Sequence, residues 1–100
     1  MRNKVPIHKK KATKIRFDKD ATVVKLYDTE IVTFTPYVIY FDTGGYQTVT
    51  TIRRMNQASQ TFNLGCSVYQ KKHELYVTKP NGHYEKFRNG IATVKRTGAV

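Results

Sequence analysis

The sequence predicts an α+β fold: an antiparallel sheet of about six or seven short strands in meanders and hairpins, one helix near residues 51–63, and a basic flexible N-terminal arm. Three observations carry that prediction. From about Ala12 onward, polar and apolar residues alternate with a period of two in short runs rich in β-branched and aromatic side chains. Only between Thr50 and Asn63 do the apolar positions (Ile52, Met55 and Phe62, with small Ala58 and Ser59 between) recur at helical spacing. The runs are separated by strong turn formers, above all Asp42-Thr43-Gly44-Gly45, Pro80-Asn81-Gly82 and Asn89-Gly90.

In chain order, residues 1–16 hold Arg2, Lys4, Lys9, Lys10, Lys11, Lys14 and Arg16 with no acid. A basic stretch with Pro6 and few apolar residues buries too little surface to offset its ordering entropy, so residues 1–11 read as an arm and 12–97 as a single domain. Ile15 and Phe17 alternate with Lys14 and Arg16; Val23–Tyr27, Glu30–Phe34 and Tyr37–Phe41 follow as strands, separated by bends at Asp18-Lys19-Asp20, Asp28-Thr29 and Thr35-Pro36. Gly44-Gly45 reverses the chain into a returning strand, Tyr46–Val49. Thr50 or Thr51 caps the helix, and Asn63-Leu64-Gly65 stops it with Gly65 left-handed. Strands Ser67–Lys71, Leu75–Thr78, His83–Phe87 and Ile91–Val94 complete the chain, with Lys72-His73-Glu74 between the first two.

At 100 residues there is room for one domain's core, which excludes a multidomain enzyme. Eighteen Lys and Arg against seven Asp and Glu leave a net charge of +11. No apolar run approaches the roughly 20 residues of a spanning helix, and the first eleven residues lack an apolar signal core, so neither a membrane segment nor a secretory signal is expected. The one cysteine, Cys66, admits no intramolecular disulfide and points to a reducing compartment.

Catalysis finds little to work with. His8, His73 and His83 fall in the arm or at turns, no HExxH or paired Cys/His metal spacing occurs, and Asp42 before Gly44-Gly45 lacks the further glycines or the Lys of a nucleotide loop. Cys66 with His73 or His83 is the one nucleophile–base pairing available, set against the ordinary reading of a lone cysteine as a small buried hydrophobe. Asp18, Asp20, Asp28 and Glu30 are spaced for turns rather than for a two-metal hydrolase. The chain is therefore read as non-enzymatic, without metal or cofactor.

Binding has three candidate features. The arm, with Lys9, Lys10, Lys11, Lys14 and Arg16, is suited to lie along phosphates by counterion release; the plain alternatives are a solubility tail, an expression remnant or a segment docked on an acidic protein. A helix capped at Thr50 or Thr51 would hold Arg53 and Arg54 in its first turn, against the dipole's positive end, so Thr50, Thr51, Arg53 and Arg54 form a candidate phosphate site; alternatively both arginines lie on a solvated face with their stems over the sheet. Third, Tyr69, Tyr76 and Tyr84 are interleaved with Lys71, Lys72, Lys79, Lys86 and Arg88, as on surfaces where unpaired bases stack, although a chain without Trp also fills its core with Tyr and Phe.

The text Thr43-Gly44-Gly45-Tyr46-Gln47-Thr48-Val49-Thr50-Thr51, followed by Arg53-Arg54-Met55-Asn56, resembles a small protein family of tailed phages and environmental viral sequences. Leu26–Thr29, Val68–Lys71, Tyr76-Val77 and Asn89-Gly90 extend the likeness over about residues 23–92. The resemblance implies a viral origin and an intracellular setting, the host cytoplasm or the virion, and transfers no site. The expected function is nucleic-acid binding, DNA or RNA, by a phage protein. The alternative is a protein–protein module, such as an inhibitor of a host defence or transcription complex or a minor virion component, using its charge on an acidic host or viral partner.

Overall fold

Runs joined by short turns pair antiparallel, because a parallel pair needs a crossover of about a dozen residues or more. The computed structural model, which describes residues 13–45 and 47–96, follows that rule. Its elements are β1 (Thr13–Phe17), β2 (Thr22–Leu26), β3 (Thr29–Phe34), β4 (Val38–Asp42), α1 (Val49–Thr61), β5 (Ser67–Lys71), β6 (Glu74–Thr78), β7 (Tyr84–Lys86) and β8 (Ile91–Lys95). The α+β class with antiparallel strands is as the sequence predicts. Among the described residues the strands number eight and divide into two sheets, a five-stranded one ordered β1-β2-β3-β4-β8 and a three-stranded one ordered β5-β6-β7. The arm, with Lys9, Lys10 and Lys11, lies outside the described residues.

Alternation decides which face of the large sheet is buried. Ile15, Val24, Val32, Phe41 and Ala92 stand opposite one another along one row of the register, and they pack inward. A bulge sets Val24 opposite Val32 but Lys25 opposite Glu30, so Ile31 is the extra residue and it too is buried. Between the strands, Asp18 N–H donates to the Ala21 carbonyl and Thr35 N–H to the Val38 carbonyl, closing two of the three bends that the sequence marks.

The expected returning strand after Gly44-Gly45 does not form. Gln47 and Thr48 are in no strand, Val49 begins the helix, and Tyr46 lies outside the described residues. The edge of β4 that such a strand would have covered is instead taken by β8, with Phe41 opposite Ala92. Two contacts hold that junction: Thr43 N–H donates to the Gly90 carbonyl at 2.9 Å, and Gly90, at φ +77°, lies so close that an added Cβ would come within 2.6 Å of Thr43 Oγ1.

The helix also begins and ends two residues earlier than its apolar spacing suggests. Thr48, extended at φ −103° and ψ 162°, is the N-cap, and its hydroxyl accepts from Thr51 N–H at 3.1 Å. Thr50 and Thr51 are thus inside the first turn rather than capping it, and Arg53 and Arg54 fall in the second turn, where the dipole argument against a cation has weakened. At the other end Leu64 N–H reaches the Ser59 carbonyl and Asn63 N–H the Gln60 carbonyl, with Asn63 at φ +56°. This is a Schellman ending closed by Asn63, while Gly65, two residues on, is left-handed at φ +77° as its sequence position suggests.

Packing then places the small sheet. Met55 and Ala58 of α1 are fully buried in a core shared with both sheets, which also takes in Val68, Leu75, Val77 and Phe87. The same helix satisfies the free edge of β5 with side chains. Asn56 donates to the Val68 carbonyl at 2.9 Å and accepts from Val68 N–H at 2.7 Å, while Ser59 Oγ donates to the Cys66 carbonyl at 2.6 Å and accepts from Cys66 N–H at 3.0 Å. The start of this strand edge, at Cys66 and Val68, is thereby paired and aligned.

Candidate nucleic-acid interface

The basic residues named from the sequence fall into unlike surroundings. Lys14 is exposed on β1, opposite Lys25 of β2. Arg16 is already engaged: its Nε lies 3.0 Å from Asp18 Oδ2 and its Nη1 3.4 Å from Glu30 Oε2. The hydrogen bond to Asp18, and then the charge of Asp18, push the Arg16 guanidinium above its ordinary pKa.

The four residues of the candidate phosphate site do not converge. Thr51 is buried, its hydroxyl 3.0 Å from that of Thr48, whereas Thr50 and Arg53 are exposed. Arg54 is half-buried; its Nη1 donates to Gln57 Oε1 at 3.1 Å, and its Nε is buried without a hydrogen-bond partner among the described residues. Thr48, Thr50 and Thr51 line a cleft of about 480 Å³ with Leu26, Ile31 and Asp28, while Arg53 lines a different groove with Ile52 and Asn56. The cleft at the helix start therefore has an acid among its walls and neither arginine, a poor place for an anion.

The small sheet is different. Its inner face presents Val68, Leu75 and Val77 to the core, so alternation turns Tyr69 of β5 and Tyr76 of β6 outward. These two stand directly opposite in the register and their rings stack at 5.5 Å with 16° between planes. On β7, Tyr84 lies opposite Thr78 and therefore on the same outward face; its ring sits 5.9 Å from that of Tyr76, tilted by 54°, and Tyr84 is 65% exposed. Lys71 and Lys86 share this face, Lys86 standing opposite Tyr76 and Lys71 opposite Glu74. Three strands thus carry an outward row of tyrosines with lysines beside it.

The remaining basic residues frame that row. Lys72 and His73, both at positive φ, form the tip between β5 and β6, and the His73 carbonyl accepts from Gln47 Nε2 at 2.7 Å, tying the tip to the segment before α1. Arg88, exposed, is bridged through its backbone to Ile91 across the Asn89-Gly90 turn. Lys79 pairs with Glu85 at 2.8 Å and Lys86 with Glu74 at 3.2 Å. The Lys79 hydrogen bond, followed by its charge, holds the Glu85 carboxyl below its ordinary pKa. Lys71, Lys72 and Arg88 have no ion pair among the described residues.

Cys66 is buried next to the helix end. Its Sγ lies 3.8 Å from the Leu64 carbonyl, and burial pushes the thiol pKa up. No group of three or more His, Cys, Asp or Glu side chains that could hold a metal occurs among the described residues. Asn56 and Ser59, which position the small sheet, were given no structural role in the sequence; the available signal was polar residues next to Met55 and Ala58, on a helix face otherwise read as apolar.

With this geometry in view, comparison with known proteins adds an origin. A family profile described as Kyanoviridae Gp96 protein matches residues 1–94. The chain belongs to that family. Membership in the Kyanoviridae Gp96 family makes it a phage protein, in line with the resemblance drawn from its central motif, and assigns it no activity. No curated protein and no solved structure matches the chain significantly.

Proposed function

We propose that this Gp96-family chain is a small non-enzymatic phage protein that binds nucleic acid through the basic surface of α1 and the small sheet, with the arm adding electrostatic affinity. The observation that carries this reading is where the uncompensated charge lies. Residues 43–90, which contain α1 and the small sheet, hold seven Lys and Arg against two acids, Glu74 and Glu85, and both acids already have lysine partners. Arg53, Lys71, Lys72 and Arg88 are exposed in this region, positioned to contact phosphates, release their counterions and so supply affinity that falls as salt rises. The tyrosine row adds a contact that a bare polycation lacks.

The buried single cysteine suits a reducing interior, and the host cytoplasm is the compartment this reading assigns. Fluorescence anisotropy of labelled oligonucleotides with the full chain, between low and near-physiological salt, tests the proposal. The expected result is saturable binding whose log affinity falls linearly with log salt, at a slope reporting several phosphate contacts. An absence of binding at low salt would contradict it and favour a protein partner.

A further inference from the structure

We infer that the outward face of the small sheet takes the unpaired bases of single-stranded nucleic acid, with Tyr84 as the leading stacking ring and Tyr76 and Tyr69 behind it. The inference rests on the nucleic-acid reading above and narrows its partner. A sheet with one buried face needs only polar residues on the other. Here three adjacent strands each place a tyrosine on the solvent side. Cross-strand pairing accounts for Tyr69 and Tyr76, whose nearly parallel rings cover one face of each other. It does not account for Tyr84, which is tilted away from that stack and mostly exposed, at the outer strand of the sheet.

The charges around the row choose the occupant. Lys71 and Lys86 share the face with the rings, and Lys72 stands at the adjoining hairpin tip. Glu74 neutralises Lys86 in part, which leaves Lys71, two residues from Tyr69 on β5, and Lys72 at the tip without an ion pair among the described residues, at the Tyr69 end of the row, while Lys86 lies two residues from Tyr84. Rings flanked by cations match a strand whose phosphates and base faces are both accessible. A duplex keeps its base faces inside its own stack and would gain only from the lysines. A second copy of this chain would bring the same positive surplus to the contact.

The test compares three probes with the full-length chain: a single-stranded oligonucleotide, a strand of the same length and phosphate number without bases, and a duplex. Affinity for the intact strand should exceed that for the baseless strand by about tenfold or more. Tyr84→Ala should erase most of that difference without changing affinity for the baseless strand, whereas Tyr84→Phe and Tyr84→Trp should preserve it. An unchanged melting temperature in each variant would locate the effect at the surface. Equal binding of the intact and baseless strands, or preference for the duplex, would overturn the stacking inference and leave the phosphate reading standing. Failure of all three probes would overturn both, and capture of an acidic protein would then be the reading to pursue.

Discussion

Residues 13–42 and residues 43–96 are nearly opposite in how they use charge. The first region has four Lys and Arg against five Asp and Glu, a net −1, and Arg16 is held between Asp18 and Glu30. The second has nine against two, a net +7, with Lys71, Lys72 and Arg88 free of ion pairs among the described residues and the Tyr84 ring exposed. Surface ion pairs contribute little stability, and the balance in the first region leaves it almost no net charge with which to attract an anionic partner. Within the second region Arg96 lies over the Phe34 ring and donates to the Thr35 carbonyl, and Arg54 donates to Gln57, whereas Arg53, Lys71, Lys72 and Arg88 are exposed. This contrast is the reason for proposing the interface on α1 and the small sheet, whose segment, residues 43–90, has seven Lys and Arg against two acids, although the large sheet is the bigger platform.

The comparison can be broken first at the core that joins the two regions. Phe41 of β4 is fully buried, and its ring lies 6.3 Å from that of Phe87, which follows β7. Phe41→Ala should cost about 3–5 kcal/mol, read from chemical denaturation with circular dichroism. Loss of the large sheet with the tyrosine region still folded would show that the two do not share one cooperative core.

A smaller change sharpens the boundary. Asn56→Ala leaves the Val68 N–H and carbonyl without their side-chain partner and should cost about 1–3 kcal/mol. Hydrogen exchange should accelerate at Val68 and its β5 neighbours more than in β2 and β3. Equal acceleration in both sheets would mean that Asn56 supports the whole core rather than the placement of β5.

The smallest effects bear directly on charge. Lys71→Ala should leave stability within about 0.5 kcal/mol and lower the log–log salt slope for a single strand by about 0.7 unit, the share of one phosphate contact. Lys19→Ala, in the turn after β1, should leave the slope unchanged. Reversed outcomes would transfer the interface to the first region.

Most strands were legible because period-two alternation and glycine or asparagine turns are local signals. At Lys72-His73 and Asn89-Gly90 the backbone takes the positive φ that tight hairpins require. The division into two sheets was not legible, since it depends on β8 meeting β4 rather than β7, a pairing between distant segments that no local pattern specifies. Gln47-Thr48-Val49 imitates a strand because its alternation is short, and only the hydroxyl of Thr48 accepting from Thr51 reveals a helix start. That two-residue shift moved Arg53 and Arg54 out of the first turn and removed the physical motive for a phosphate site there. The tyrosines were visible as candidates, but their side of the sheet follows from the burial of Val68, Leu75 and Val77, a tertiary fact.

The location of the interface can be read directly by titrating isotope-labelled full-length chain with an unlabelled single-stranded oligonucleotide and following each backbone amide by NMR. The account predicts that the largest shifts fall at Tyr69, Lys71, Lys72, Tyr76, Tyr84 and Lys86, with smaller ones at Arg53. Shifts concentrated instead on the outer face of the large sheet, at Lys14, Lys25 and Tyr40, would contradict it.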